Sequence, residues 1–306
     1  MKFAFIGIVL FGCFVGTAIG VSSQSAANER DLLRRMQDMR ALESYSRRRS
    51  EKDRRQLEAM NPPELDKKSK DRVRKMRMLD TRDVERYRAF LSDPKKTGIF
   101  RIFPDFDCRS KNVVNIGPEC AEFVPETSDF SFRAIAYTNR LYHDIGFDRT
   151  QLISDSFFSQ GILVSLGDVP VENADLQFPA IKYLLDIKPD AMVANAKKTS
   201  DMFDRGVDSG GFYYSSRVIP TEKTTYALRS IAYQHAGSLP SLRPDSTLTE
   251  IKFKSLEMDS RDDVIVVFRI VRKDTDGGLT IVWKELSRKD GPKLKFAKDE
   301  VLADFK

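Results

Sequence analysis

Two arginines, each two residues before an isoleucine and four before a tyrosine, have the type and spacing that could do chemistry. Arg133, Ile135 and Tyr137 stand in Phe132-Arg133-Ala134-Ile135-Ala136-Tyr137. Arg229, Ile231 and Tyr233 stand in Leu228-Arg229-Ser230-Ile231-Ala232-Tyr233, 96 residues further on. A proline and a threonine lead into each copy, Pro125 with Thr127 and Pro220 with Thr221. The pattern suggests an internal duplication. The chemistry open to such a phrase is recognition: guanidinium and phenol side by side can meet a carboxylate or sugar in a groove. The competing reading lays each arginine stem over the core edge and bonds its head to a neighbouring Asp or Glu. Duplication favours that second reading, because a feature kept in both halves more often supports a fold than a single site.

Catalytic machinery is sparse. The chain has two histidines, His143 and His235, six residues after Tyr137 and two after Tyr233, so they do not occupy matching positions. No nucleophile elbow, phosphate loop, dinucleotide fingerprint, His-Glu-x-x-His or Cys-x-x-Cys is present, so neither a cofactor nor a metal is expected. His143-Asp144 sets a carboxylate beside an imidazole, but neighbours on a strand point to opposite faces. Asp105 with Asp107, or Asp262 with Asp263, would serve a carboxylate-based hydrolase if brought together. Nothing in their spacing separates them from solvated loop charges. Asp274-Thr275-Asp276-Gly277 opens like a calcium loop and lacks the closing bidentate Glu, so it reads as a turn.

The elements that must position these residues are mainly strands. The run 264–271 is apolar on both faces and suits a central strand, followed by an alternating run at 279–283. Asp274 to Gly278 joins them into a hairpin, with glycines where positive φ is needed. Both repeated phrases read as strands, with Arg133, Ile135 and Tyr137 on one face, and likewise Arg229, Ile231 and Tyr233. The apolar run 161–166 precedes a turn at Gly167-Asp168-Val169-Pro170, and Ile251 and Phe253 alternate with charged neighbours. A helix is expected from about Pro189 to Phe203.

The first residues read as a targeting segment. Lys2, an apolar run and small residues ending at Gly20 have the layout of a secretory signal peptide,. The alternatives are an uncleaved anchor and, through Leu10-Phe11-Gly12-Cys13, lipid attachment at Cys13. Export leaves Cys108 and Cys120 as an even pair, expected to form a disulfide in an oxidising compartment. Residues 27–96 carry 22 Lys and Arg against 14 Asp and Glu, so the basic character belongs to an N-terminal arm. Its two helical segments have apolar stripes, one from Leu32 to Tyr45 and one from Leu65 to Leu91, the second opened by Asn61-Pro62-Pro63-Glu64,. The least relieved basic sites are Arg47, Arg48 and Arg49, and Lys67, Lys68 and Lys70.

The expected protein is α+β: a helical arm before a mainly antiparallel, sandwich-like β body built from two related β-units. Its divisions are a signal peptide at 1–20, the arm at 21–97, a first β-unit with the disulfide loop at 98–188, and a second at 189–306. The expected function is that of an exported, non-catalytic binding or structural protein of the periplasm or cell surface. Residues 27–96 would dock on a protein partner, a second copy or an anionic envelope surface. Nucleic acid is the partner an exported chain is least expected to meet, and no transmembrane span is expected in the mature chain. The alternative is an extracellular hydrolase acting on a polysaccharide-type substrate.

Overall fold

Strand-forming runs dominate the protein, whose computed structural model describes residues 67–105, 127–236 and 259–297, with Phe253 and Leu256. In chain order the strands begin with β1 (Thr97–Ile102), β2 (Asp129–Ser131), β3 (Ala136–Tyr137), β4 (Ile145–Asp148) and β5 (Gln151–Ile153). Next come β6 (Ser159–Gly167), β7 (Val207–Ser209), β8 (Phe212–Ser215), β9 (Arg217–Val218) and β10 (Thr225–Ala232). The last are β11 (Gln234–His235), β12 (Asp262–Lys273), β13 (Leu279–Asp290) and β14 (Lys293–Leu294). A seven-stranded sheet has the order β1-β13-β12-β10-β6-β8-β7, a five-stranded sheet the order β3-β2-β4-β5-β9, and β11 pairs with β14. The last pair is parallel and every other ladder is antiparallel. The described chain is thus mixed, with few helices and mostly antiparallel strands.

Alternation along the central strands builds two of the three apolar clusters among the described residues. On β12, Val266, Phe268 and Ile270 join Leu228 of β10 and Trp283 of β13 beneath Phe130, Phe132 and Phe147 of the five-stranded sheet and its turn. The interleaved Ile265, Val267 and Val271 face the helices instead. A run apolar on both faces is what a strand buried between two layers requires, each large side chain contributing about 1.5–3 kcal/mol. The hairpin expected at 264–283 is β12-β13. Its turn has Gly277 at φ +82, with the Asp274 N–H donating to Gly278 O at 2.8 Å. The carboxylates that resembled a calcium loop hold a guanidinium: Arg101 Nη2 donates to Asp274 and Asp276 at 2.9 and 3.0 Å.

Strands on both sides of the 188/189 division share the large sheet, with β6 paired along β10. The helix expected near 189–203 is Val193–Arg205, stopped by Gly206 at φ +90. A second body helix, Pro179–Asp186, went unread in the sequence, although Pro at its first turn and buried Ala180, Ile181 and Leu184 mark it,.

The end of the arm is part of this packing. Helix α1 (Lys67–Arg77) and helix α2 (Thr81–Arg86) replace the single segment expected from Leu65 to Leu91. Asp80 makes the break, since its carboxylate accepts from the Arg82 N–H at 2.9 Å and caps a new helix,. Arg272 of β12 donates to Asp80 at 3.2 Å and to Asp83 at 2.6 Å, which ties α2 to the large sheet. Val73 and Tyr87 are buried, and Tyr87 belongs to the core beneath the helices. Described residues on both sides of 97/98 thus pack together, as Tyr87 and Arg272 show. The body helices are accordingly α3 (Pro179–Asp186) and α4 (Val193–Arg205).

Candidate functional site

The first arginine sits in a turn. Residues 132–135 reverse the chain between β2 and β3, so the strand expected over Phe132 to Tyr137 is corrected to a short hairpin. Ile135 occupies φ +53 and is 40% exposed, while Arg133 is buried. The physical reason is a carboxylate that satisfies the backbone locally. Asp144 accepts from the Arg133 N–H at 2.9 Å and from Ser131 Oγ at 3.1 Å, and Ser131 Oγ accepts from the Ala134 N–H at 3.2 Å. Isoleucine at positive φ stores about 1–3 kcal/mol of strain. Ile135→Asn is expected to raise stability by about 1 kcal/mol, because Asn tolerates this conformation and little apolar contact is lost. A urea midpoint at or below wild type would contradict this.

The Arg133 head is fully committed. Its Nε donates to Asp144 at 2.7 Å, Nη1 to Asp259 at 2.8 Å and Ser260 O at 2.6 Å, and Nη2 to Tyr142 O at 2.8 Å. Both members of the Arg133–Asp144 pair have side chains with no exposure. Burial alone pushes the Asp144 carboxyl up, but Arg133 and the hydrogen bonds outweigh it and hold it below the usual range. Asp259 is shared with Arg261, whose Nη1 donates to it at 2.8 Å. Burial, and then the neighbouring Arg133 charge, pull Arg261 down to about 10. Arg288 of β13 binds the carbonyls of Phe132 and Arg133 at 3.3 and 3.1 Å.

The second arginine sits mid-strand. Arg229 grips Asp263 with two parallel bonds, 2.9 Å from Nε and 2.7 Å from Nη2. Its Nη1 donates to Leu184 O and Ile187 O, both at 2.6 Å, and so caps the end of α3,. The next residue faces the other way, and Ser230 Oγ donates to Asp144 at 2.5 Å. Consecutive residues of β10 therefore fasten the layers on its two faces.

The tyrosines are equally engaged. The Tyr137 hydroxyl donates to Arg101 O at 2.5 Å, its ring carries Arg77 at 3.6 Å, and burial pushes its pKa up to about 12. The Tyr233 hydroxyl donates to Gln160 Oε1 at 2.9 Å, and burial raises its pKa above the usual value. Arg133 and Tyr137 thus belong to the hairpin, and Arg229 and Tyr233 to the central strand and its end. Each pair spends its polar atoms inside the protein.

No known family model matches this chain, nor does any curated protein or solved structure.

A hollow of about 300 Å³ is lined by Tyr233, Gln234, His235, Leu256, Asp259 and Arg261. Its carboxylate is the one held by Arg133 and Arg261, so the described residues offer no carboxylate pair there. His143 does not pair with Asp144. Its buried ring lies with Nδ1 3.1 Å from Asp129 Oδ1, misaligned for a hydrogen bond. Gly146 makes room for this pair, since a Cβ there would stand 2.9 Å from Asp129 Oδ1. Asp105 lies 3.5 Å from Arg140, and Asp262 accepts from Arg288 at 2.6 Å. A glycosidase-type acid needs a raised carboxyl, whereas Asp80 and Asp144 are both lowered, the former by its Arg82 hydrogen bonds. Among the described residues no group of three or more His, Cys, Asp and Glu could hold a metal. No described helix is long and apolar enough to cross a membrane.

Helix α1 carries a group of exposed basic side chains. Lys67, Lys68, Lys70, Arg74 and Lys75 are exposed, while Val73 turns inward. Residues 1–66 with Cys13, Arg47, Arg48 and Arg49 lie outside the described residues, as do Asp107, Cys108 and Cys120.

Proposed function

We propose that this chain is an exported, non-catalytic binding protein of the cell envelope that docks through its basic arm. In this reading a signal peptide directs export, Cys108 and Cys120 form a disulfide, and a sandwich-like body carries a helical arm. One observation carries it. α1 is fixed to the body by Val73 and by Arg101 Nη1 donating to Met76 O at 2.8 Å, while four basic side chains, Lys67, Lys68, Arg74 and Lys75, stay outward. Charges that could have served catalysis are instead spent on each other: Arg133 on Asp144 and Asp259, and Arg229 on Asp263. A basic face on a rigid support suits attraction to an anionic partner.

The test is fractionation of cells producing the full chain or its K67E/K68E/K75E variant. These residues are exposed, so the variant should fold. Wild type is expected with the envelope and the variant in the soluble fraction. A variant that stays with the envelope as wild type does would sink the docking role of α1.

A further inference from the structure

Resting on that docking reading, we infer that the outward face of α1 binds an anionic phospholipid surface, with Met78 seated among the headgroups. The face is continuous. Lys67 and Arg74, and Lys68 and Lys75, are each seven residues apart, which puts them on neighbouring stripes of one helix side,. Asp71 is the acidic residue on that side, and Arg74 neutralises it at 3.6 Å. The stripe ends on Met78, which is 64% exposed. The Met78 N–H donates to Lys75 O at 3.2 Å, which continues the helical turn by one residue past Arg77.

That combination favours lipid over an acidic polysaccharide, which would be satisfied by the charges and would leave Met78 in water. A bilayer interface takes both: phosphates meet the ammonium and guanidinium heads, and the apolar chain enters the headgroup boundary. The body presents the face rigidly. Arg77 lies over the Tyr137 ring at 3.6 Å, and Arg272 holds Asp80 and Asp83 just beyond Met78. Binding is therefore by a helix face lying on the surface rather than by a span.

Sedimentation of the purified full chain with vesicles tests this, residues 1–66 being identical in every variant. Wild type is expected to bind vesicles containing phosphatidylglycerol and to release them as salt is raised. It should bind pure phosphatidylcholine far more weakly. Each basic residue near an anionic surface strengthens binding about fivefold, so K67E/K68E/K75E should weaken it at least about 100-fold. Met78→Ser should weaken it about fivefold while leaving the thermal midpoint unchanged. Equal binding to both vesicle types, or unchanged binding by both variants, would overturn the inference. So would binding of a soluble acidic polysaccharide that displaces the vesicles and ignores Met78→Ser. If envelope association in cells depends on the basic face but vesicles are not bound, the lipid assignment fails and the docking reading stands. If association in cells ignores the basic face, the docking reading itself fails.

Discussion

Replacing Asp144 with alanine is expected to lower the unfolding free energy by about 3–5 kcal/mol, the cost of stripping one partner from a buried ion pair. The carboxylate has no exposed surface and accepts four hydrogen bonds, from Ser131 Oγ, the Arg133 N–H, Arg133 Nε and Ser230 Oγ. These donors come from the β2–β3 hairpin and from β10, so one side chain fastens the small sheet to the large one. Its loss leaves an arginine Nε and a backbone N–H without acceptors in a place water does not reach. Arg133 keeps Asp259 and two carbonyls, which limits the damage and makes a folded, weakened variant the expected product. Acid should act through the same group. Its folded pKa is depressed, so its stabilisation is present above the unfolded value of about 3.9 and is lost as pH falls through the folded one,. Urea unfolding of wild type at neutral pH and below about pH 4 should therefore show a loss that D144A shows less of. A midpoint shift equivalent to less than about 1 kcal/mol at neutral pH would remove Asp144 from this role.

How far the chain could be read without its structure depended on the range of the forces involved. The β12-β13 hairpin was legible because β-branched density, alternation and an Asp-Thr-Asp-Gly-Gly turn act within 20 residues,. Helix α4 was legible from its apolar spacing,. The repeated phrase misled, since nearly the same letters form a central strand at Arg229 and a turn at Arg133. Neighbours decide this: β10 has β6 and β12 on its two sides, whereas the first copy has a carboxylate that satisfies its backbone. Nothing within the phrase encodes Asp144. The pairings were illegible for the same reason, because Arg133 reaches Asp259 across 126 positions and Ser230 reaches Asp144 across 86. An arginine inside an apolar run signals that a buried partner exists, but not which one. The outward face of α1 was legible as a basic cluster at Lys67, Lys68 and Lys70. That its inner side packs on the body required Val73 to find its place.

Arg229→Met is expected to cost about 3–5 kcal/mol as well, and a second substitution separates its two duties. Asp263 is 7% exposed and loses both bonds of its bidentate partner, which leaves a charge stranded on the helix face of the large sheet. At the same time Leu184 O and Ile187 O lose their donor, and the end of α3 is left open. Adding Asp263→Val removes the stranded charge and fills the site with an apolar side chain, a change that is often neutral or favourable for a buried pair. If charge pairing were the whole role of Arg229, R229M/D263V would match wild type. The two carbonyls argue otherwise, each lost hydrogen bond costing about 0.5–1.5 kcal/mol, so the double variant should remain about 1–3 kcal/mol below wild type. The residual loss should be local. Amide exchange should quicken in α3 and in the turn after it, while β10 and β12 keep their protection. A double variant with wild-type stability and a protected α3 would show that Arg229 serves Asp263 alone. A double variant no better than R229M would show that the helix cap, not the ion pair, is what the central strand needs this arginine for.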